Sequence, residues 1–208
     1  MQRDADTDPR KTAAGMRGVY ERQAAAWDAA RSRDLYEAAW LDRALAMTAP
    51  GEWVLDLGCG AGEPVARYVV AQGRRVLGVD FAAPMIKLAR ARMPDQRWAV
   101  ADMRGLDLDA QFAAIIGWDS FFHLTPSEQV ALIPLLARHL APGGALLLTV
   151  GPAAGEPLGE VCGEAVYHAS LAPDDYRMRL AAAGIKVVDF VPNDQDCAGR
   201  SVLLGKRS

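Results

Sequence analysis

Apolar residues follow two different periods along this chain, and the change between them divides it. Between residue 13 and about residue 27 they recur at the spacing of a helix, at Met16, Val19, Tyr20, Ala24 and Trp27. A second helix is predicted over 34–47, where Pro50 and Gly51 end it. From residue 53 onwards, short apolar runs alternate with helical segments.

The apolar runs predict five strands, over 53–57, 75–79, 97–101, 113–118 and 145–150. Helices are predicted between them, over 63–72, from Pro84 to just before Pro94, and over 125–140 with a disturbance at Pro134. Alternation at this spacing predicts parallel strands with right-handed crossovers. Nearly continuous apolar strands indicate helices on both faces of the sheet.

The last third of the chain is less regular. Residues 151–171 show no clear period, a helix is predicted over 173–183, and strands follow over 185–191 and 200–205. Residues 1 to about 10 are expected to be frayed.

A glycine-rich turn follows the first strand. The run Val-Leu-Asp-Leu-Gly-Cys-Gly-Ala-Gly over 54–62 places Asp56 at the strand end and glycines at 58, 60 and 62. Without Cβ atoms, such a turn bends sharply and lets a ligand lie on the main chain. The second strand ends in another carboxylate, Asp80. This pair predicts a nucleoside ligand with a ribose diol and a charged tail.

Together with Asp80, this run resembles motif I of the class I S-adenosylmethionine (SAM)-dependent methyltransferases. Its G-x-G-x-G spacing differs from the dinucleotide fingerprint G-x-G-x-x-G. The resemblance extends through 19–22, 118–124 and 167–171 to a group of small bacterial methyltransferases of unassigned substrate. It implies a Rossmann-like α/β fold with a seven-stranded, mostly parallel sheet in the order 3-2-1-4-5-7-6 and an antiparallel C-terminal hairpin.

A chain of 208 residues is long enough for one sizeable core and short for two. We therefore predict a single methyltransferase domain over 1–208. It comprises an N-terminal helical lid or cap (1–48), a SAM-binding core (50–150) and a substrate-side loop with the terminal hairpin (151–208).

The residues at the strand ends suit the chemistry of SAM. Backbone N–H groups of Gly58, Cys59, Gly60 and Gly62, at the start of a helix, suit the tail carboxylate. Asp56 suits the tail ammonium, and Asp80 can accept from both ribose hydroxyls. Phe81 and Met85 are expected on the adenine. Cys59 is also expected to be a small filler and not a nucleophile.

Three more positions come from the resemblance. It implies that Asp102 accepts from the adenine amine and that Met103 packs on the ring. It also implies that Trp118 lines the methionine portion, where its ring would face the sulfonium. Tyr20 and Trp27 are expected to cover the cofactor from a lid helix, although core packing is the alternative.

Methyl transfer is an in-line displacement, so a general base is needed only if the acceptor loses a proton. The candidates are Asp119, His123, Tyr167 and His168, and for the last three a packing or rim role is the alternative.

Charge and composition narrow the partners. A net charge of −3 argues against nucleic acid. No apolar leader or membrane-length segment is seen, and three widely spaced cysteines suggest neither a metal site nor disulfides, which predicts a cytoplasmic protein. By elimination, the acceptor is a small molecule, with oxygen, nitrogen or sulfur as the methylated atom. A monomer or homodimer is expected.

Two other functions stay open at this point. The chain could be a non-catalytic SAM-binding accessory protein, which the intact glycines and acids argue against. A nicotinamide-dependent oxidoreductase on a related sheet is the third possibility.

Overall fold

Nine strands occur within residues 8–208, the part of the chain that the computed structural model describes. They are β1 (Trp53–Leu57), β2 (Arg75–Asp80), β3 (Arg97–Val100), β4 (Phe112–Gly117), β5 (Leu140–Val150), β6 (Leu158–Val161), β7 (Glu164–Tyr167), β8 (Ile185–Asp194) and β9 (Arg200–Arg207). Seven form one sheet in the order β3-β2-β1-β4-β5-β9-β8. The first five are parallel, and β9 is antiparallel to both β5 and β8. The predicted order and terminal hairpin are confirmed.

Six α-helices accompany the sheet in this part of the chain: α1 (Pro9–Ala30), α2 (Ala38–Leu45), α3 (Val65–Ala71), α4 (Ala83–Arg92), α5 (Pro126–His139) and α6 (Pro173–Ala182). On one face of the sheet, Leu55 and Leu57 pack with residues of α5 and α6. On the other face, Val54 packs with residues of α2, α3 and α4. Alternate side chains of β1 therefore enter two separate cores, as helices on both faces require.

Helix ends follow local signals with some corrections. The capping box of α5 forms, because the side chain of Thr125 accepts from the N–H of Glu128 and that of Glu128 accepts from the N–H of Thr125. The helix runs through Pro134 to its end. Helix α1 begins at Pro9 behind the N-cap Asp8, so fraying does not reach residue 10. Residues 1–7 lie outside the described residues.

Strand β5 starts five residues earlier than expected. Its pairing with β4 shifts between the Phe112–Leu140 and Ala114–Ala145 partners, and Gly143 has a φ of 77°. A positive φ is readily adopted by glycine, so this stretch forms a bulge within the strand instead of a turn before it.

The hairpin of β6 and β7 was not predicted. Its turn residues Cys162 and Gly163 both have positive φ, 49° and 83°. Two positive φ values are the mark of a tight hairpin turn, but Cys-Gly is a weak sequence signal for it.

Helix α1 packs on this hairpin, and we call α1 with the β6–β7 hairpin the cap. Met16 and Val19 of α1 pack against Val161 and Val166 of the hairpin. The Gln23 side chain adds a hydrogen bond of 2.7 Å to Glu164. Helix α2 belongs to the sheet core instead, so only part of the predicted lid over 1–48 lies in the cap. None of the helices described here is both long and apolar enough to cross a membrane.

Candidate active site

The glycine turn lies at the carboxyl end of β1, where ligands of parallel sheets bind. The N–H groups of Gly58 and Cys59 both donate to the carbonyl of Val79, at 2.8 and 3.0 Å, and that of Gly62 donates to the carbonyl of Cys59 at 2.9 Å. The N–H of Gly60 donates to Asp80. The four N–H groups expected to bind a ligand carboxylate are therefore already engaged within the protein. Gly58, Gly60 and Gly62 have φ values of 75°, 51° and 79°. At Gly60 a Cβ would meet no atom within 4 Å and would point into open space.

Asp80 ties the turn to the end of β2. One carboxylate oxygen accepts from the N–H of Gly60 at 2.9 Å, and the other accepts from the N–H of Ala82 at 2.8 Å. Burial raises the pKa of Asp80 above its usual value, and these two hydrogen bonds offset only part of that rise. Each oxygen keeps a second lone pair, so the carboxylate can still accept from a diol.

Asp56 is buried beside the turn without its full set of partners. Its Oδ2 and the indole N–H of Trp118 have no hydrogen-bond partner among the described residues. Burial, with a smaller effect of the Asp80 charge, raises the pKa of Asp56 to about 7. A buried carboxylate without a partner is costly, and a ligand cation would satisfy it.

Three connected compartments form what we call the long crevice. The first (about 50 Å³) is lined by Asp56, the glycine turn and Trp118, the second (about 50 Å³) by Asp80 and Met85, and the third (about 30 Å³) by Asp102. The first two share Trp27, Gly58, Gly60 and Asp119; the last two share Phe81, Met103, Ser120 and His123. The structure therefore brings the three strand-end acids to one crevice.

Ser120 and Arg31 are among the crevice residues that were not assigned a site role from the sequence. The Ser120 hydroxyl donates to the carbonyl of Leu57 at 2.6 Å, which ties the loop after β4 to the start of the glycine turn. A Cβ at Gly58 would lie only 2.9 Å from this hydroxyl oxygen, so the two residues are in close contact. The Arg31 guanidinium lines the first compartment. Arg31 continues the face of α1 that carries Tyr20 and Trp27, and this spacing could have identified it as a site residue from the sequence.

Asp102 enters the third compartment already paired. Both of its oxygens accept from the Arg104 guanidinium, at 2.9 and 2.6 Å, and Arg17 lies 3.7 Å away. The Arg104 contact holds the pKa of Asp102 below its usual range. Its predicted contact with adenine stays a prediction.

Tyr20 packs at the centre of the cap contact. Its ring lies edge-on to Trp27, Phe81 and His123, with centroids 6.1, 6.0 and 5.4 Å away. Burial raises the pKa of Tyr20, so its hydroxyl stays protonated and can donate. The aromatic residues expected in a lid therefore lie over the long crevice.

Asp119 is held by two arginines. Its carboxylate accepts from Arg200 at 3.3 and 3.2 Å and lies 3.5 Å from Arg31. Its backbone is left-handed, with a φ of 49°. The side chain thus joins α1, β4 and β9, and its lone pairs are engaged by cations, which disfavours a role as a free base.

A second cavity, which we call the side cavity, opens next to the long crevice. It holds about 360 Å³ and its lining includes Phe122, His168, Arg200 and Ser201. It shares Tyr20, Trp27, Asp119 and His123 with the long crevice. Three of the candidate bases, Asp119, His123 and His168, therefore lie at its wall.

Tyr167 is not placed with the other candidates. Its ring is buried against α1, and its hydroxyl hydrogen-bonds to Glu156. It lines neither the long crevice nor the side cavity. The packing role, which the sequence left open, fits this position.

Comparison with known proteins agrees with the geometry. Residues 54–144 match a family described as a methyltransferase domain. A trans-aconitate 2-methyltransferase of Azoarcus sp. is 34% identical over 136 residues, 62% of this chain and 48% of the relative. Another trans-aconitate 2-methyltransferase, from Methylobacterium nodulans, is 34% identical over 186 residues, 81% of this chain and 66% of the relative. The chain thus spans about half to two thirds of the length of these relatives.

A solved structure resembles the whole fold. The SAM-bound amino pentose methyltransferase of Micromonospora echinaspora has a TM-score of 0.68 and 22% identity, with all of both chains covered. The domain match, the curated relatives, the strand order and the glycine turn agree, and the chain belongs to the class I SAM-dependent methyltransferases.

Proposed function

We propose that this protein transfers the methyl group of SAM to an oxygen, nitrogen or sulfur atom of a small-molecule acceptor by in-line displacement. The observation that carries the proposal is the meeting of two cavities. The long crevice and the side cavity share Trp27 and Asp119, so a donor in one can face an acceptor in the other. Holding two reactants in line is the main task of such an enzyme.

The residues of the long crevice fit SAM group by group. In the first compartment, the unpartnered Asp56 suits the tail ammonium, while the Arg31 guanidinium supplies a positive charge for the tail carboxylate. Asp80, in the second compartment, suits the ribose diol. When bound, SAM supplies a methyl group activated by a positively charged sulfur.

The adenine would lie towards the third compartment. Phe81 and Met103 line both the second and the third compartments, and Met85 lines the second, so an adenine beyond the ribose would meet apolar side chains. Trp118 lines the first compartment, as expected for a residue beside the methionine portion.

The side cavity has the size and lining expected for a small acceptor. Its volume of about 360 Å³ lies within the usual range for small-molecule sites. Aromatic rings cover one side, and Asn193, Arg200 and Ser201 supply polar groups. The cap covers both cavities, which would exclude water from the reacting atoms. The matched relatives named above are themselves described as methyltransferases of trans-aconitate.

Calorimetry followed by a turnover assay tests the proposal. We expect SAM and S-adenosylhomocysteine to bind and NAD not to bind. We then expect S-adenosylhomocysteine release when a panel of phenols, N-heterocycles, amines, thiols and carboxylic acids is supplied. Preferential binding of NAD would contradict the proposal, and tight SAM binding without turnover on any class would favour an accessory protein.

A further inference from the structure

Two histidine rings stand side by side at the wall of the side cavity. The centroids of His123 and His168 are 5.0 Å apart, and Phe122 lies 4.8 Å from the first ring and 4.7 Å from the second. Both were base candidates from the sequence, but their hydrogen bonding differs.

Both nitrogens of His123 are occupied. Nδ1 lies 2.8 Å from the carbonyl of Tyr167, and Nε2 lies 2.8 Å from the hydroxyl of Tyr20. Because a carbonyl only accepts, Nδ1 carries the hydrogen, and Nε2 accepts from Tyr20. Burial lowers the pKa of His123 to about 4, which keeps this arrangement neutral. No lone pair of His123 is left for an acceptor molecule.

The hydrogen bonding of the His168 imidazole differs from that of His123. Neither ring nitrogen makes a hydrogen bond to any residue within 8–208. Burial lowers its pKa, although Asp119 opposes this effect, so the imidazole is neutral at pH 7 and keeps one lone pair.

The backbone of the cap fixes the position of this ring. The N–H of His168 donates to the carbonyl of Pro157 at 3.0 Å. The imidazole packs directly on Gly159 of β6, where a Cβ would come within 2.6 Å of Cε1. A glycine at this position is therefore required for the ring to lie where it does.

We propose that His168 accepts the proton that the methyl acceptor loses, and that His123 is a positioning residue that holds Tyr20 over the two cavities. This inference rests on the proposed methyl transfer. The acceptor atom forms its new bond to the methyl carbon as the carbon–sulfur bond breaks and its electron pair goes to sulfur. The acceptor's proton moves to the free nitrogen of His168, and the resulting imidazolium releases it to water.

A proton-accepting residue implies an acceptor that carries a proton on its reacting atom. Tyr20, Trp27 and Phe122 give the cavity flat apolar walls. The cationic Arg200 is already bound to Asp119, so it is poorly placed to hold a polycarboxylate. The acceptor class is thus a planar molecule with a weakly acidic O–H or ring N–H. A carboxylate acceptor, in contrast, has no proton to lose.

The first experiment needs no acceptor. The chain has three histidines, His123, His139 and His168, so nitrogen-15 NMR of the imidazoles can be assigned with single His→Asn variants. In the complex with S-adenosylhomocysteine at pH 7, we expect a fixed Nδ1–H form for His123. We expect a neutral ring with a lone pair free of hydrogen bonds for His168. A protonated or hydrogen-bonded His168 would overturn the inference.

The second experiment uses turnover. With planar phenols or N-heterocycles as acceptors, His168→Ala is expected to lower kcat about 100-fold or more while the KM for SAM changes less than twofold. Added imidazole should restore part of the rate, which a packing role would not explain. Gly159→Ala should also lower kcat, because its methyl group displaces the ring.

Gly155→Ala is the matched control, because a Cβ there would meet no atom closer than 4.0 Å. It should keep the wild-type rate. A His168→Ala protein with unchanged kcat, or methylation of carboxylic acids alone, would refute the role of His168 and leave the proposed methyl transfer intact. Failure of the wild-type protein to bind SAM would refute both the role of His168 and the proposed methyl transfer.

Discussion

The hydroxyl of Tyr20 donates a hydrogen bond of 2.8 Å to Nε2 of His123, across 103 positions of sequence. Tyr20 belongs to the cap helix α1, and His123 belongs to the loop that follows β4. The bond lies where the long crevice meets the side cavity, since both residues line both. It therefore fastens the cap over the proposed site of methyl transfer.

We expect Tyr20→Phe to weaken SAM binding about 2- to 10-fold, because one hydrogen bond contributes roughly 0.5–1.5 kcal/mol to the closed cap. Calorimetry measures the affinity, and hydrogen exchange of α1 should become faster. Tyr68→Phe is the control, since it removes an exposed hydroxyl that bonds Asp42 away from both cavities. Equal effects of the two variants would contradict the fastening role.

Asp80→Ala should weaken SAM binding by on the order of 1–3 kcal/mol, the usual cost of losing charge-assisted hydrogen bonds. Asp107→Ala removes a surface carboxylate paired with Arg138 and should leave the affinity unchanged. Isothermal calorimetry compares the two. An unaltered dissociation constant for Asp80→Ala would refute the ribose position.

Gly60→Val should abolish SAM binding, because its side chain would occupy the open space above the turn. The matched control is Gly73→Val. Gly73 also has a positive φ, 78°, and no atom within 4 Å of a built Cβ, but it lies after α3, away from the crevice. Both variants should lose some thermal stability from backbone strain, and only Gly60→Val should lose binding. Full affinity in Gly60→Val would contradict a ligand on the turn.

The affinity for SAM should depend on pH through Asp56. Its pKa is about 7 in the free protein, and a bound ammonium would lower it by favouring the charged form. Binding therefore weakens as pH falls below about 7, by up to tenfold per pH unit. It weakens again above about 8, where an α-amino group loses its proton. Calorimetry between pH 5.5 and 8.5 should show this maximum, with a shallower acid limb in Asp56→Asn. A flat profile for the wild-type protein would argue against an ionised Asp56 in binding.

The same residue should destabilise the ligand-free protein at neutral pH and above. The folded state raises the pKa of Asp56, so its contribution to stability falls as pH rises from about 4 through about 7. Asp56→Asn should then be more stable than wild type at pH 8, by on the order of 4 kcal/mol, and similar near pH 4. Denaturant unfolding at the two pH values checks this. A less stable variant at pH 8 would contradict the prediction.

Local signals predicted the donor side of the site better than the acceptor side. The glycine turn and Asp80 are close in sequence and follow strands, so their meeting could be inferred from parallel pairing. The ion pairs of Asp119 could not, because Arg31 and Arg200 come from distant parts of the chain. The strand order itself came from the family resemblance and not from periodicity.

The candidates Tyr167 and His168 show what a missed strand costs. Consecutive residues of an extended chain point in opposite directions. Tyr167 turns towards α1, and His168 turns into the side cavity. Had the hairpin been predicted from Gly163, at most one of the two would have been kept as a base candidate.

One structural unit, the cap, contributes to the walls of both cavities through Trp27 and Tyr20. If the cap opens as a unit, the donor and the acceptor would enter their cavities through the same movement. S-adenosylhomocysteine and the methylated product would then leave during one opening of the cap. The rate of cap opening, more than the rate of methyl transfer itself, would then limit kcat.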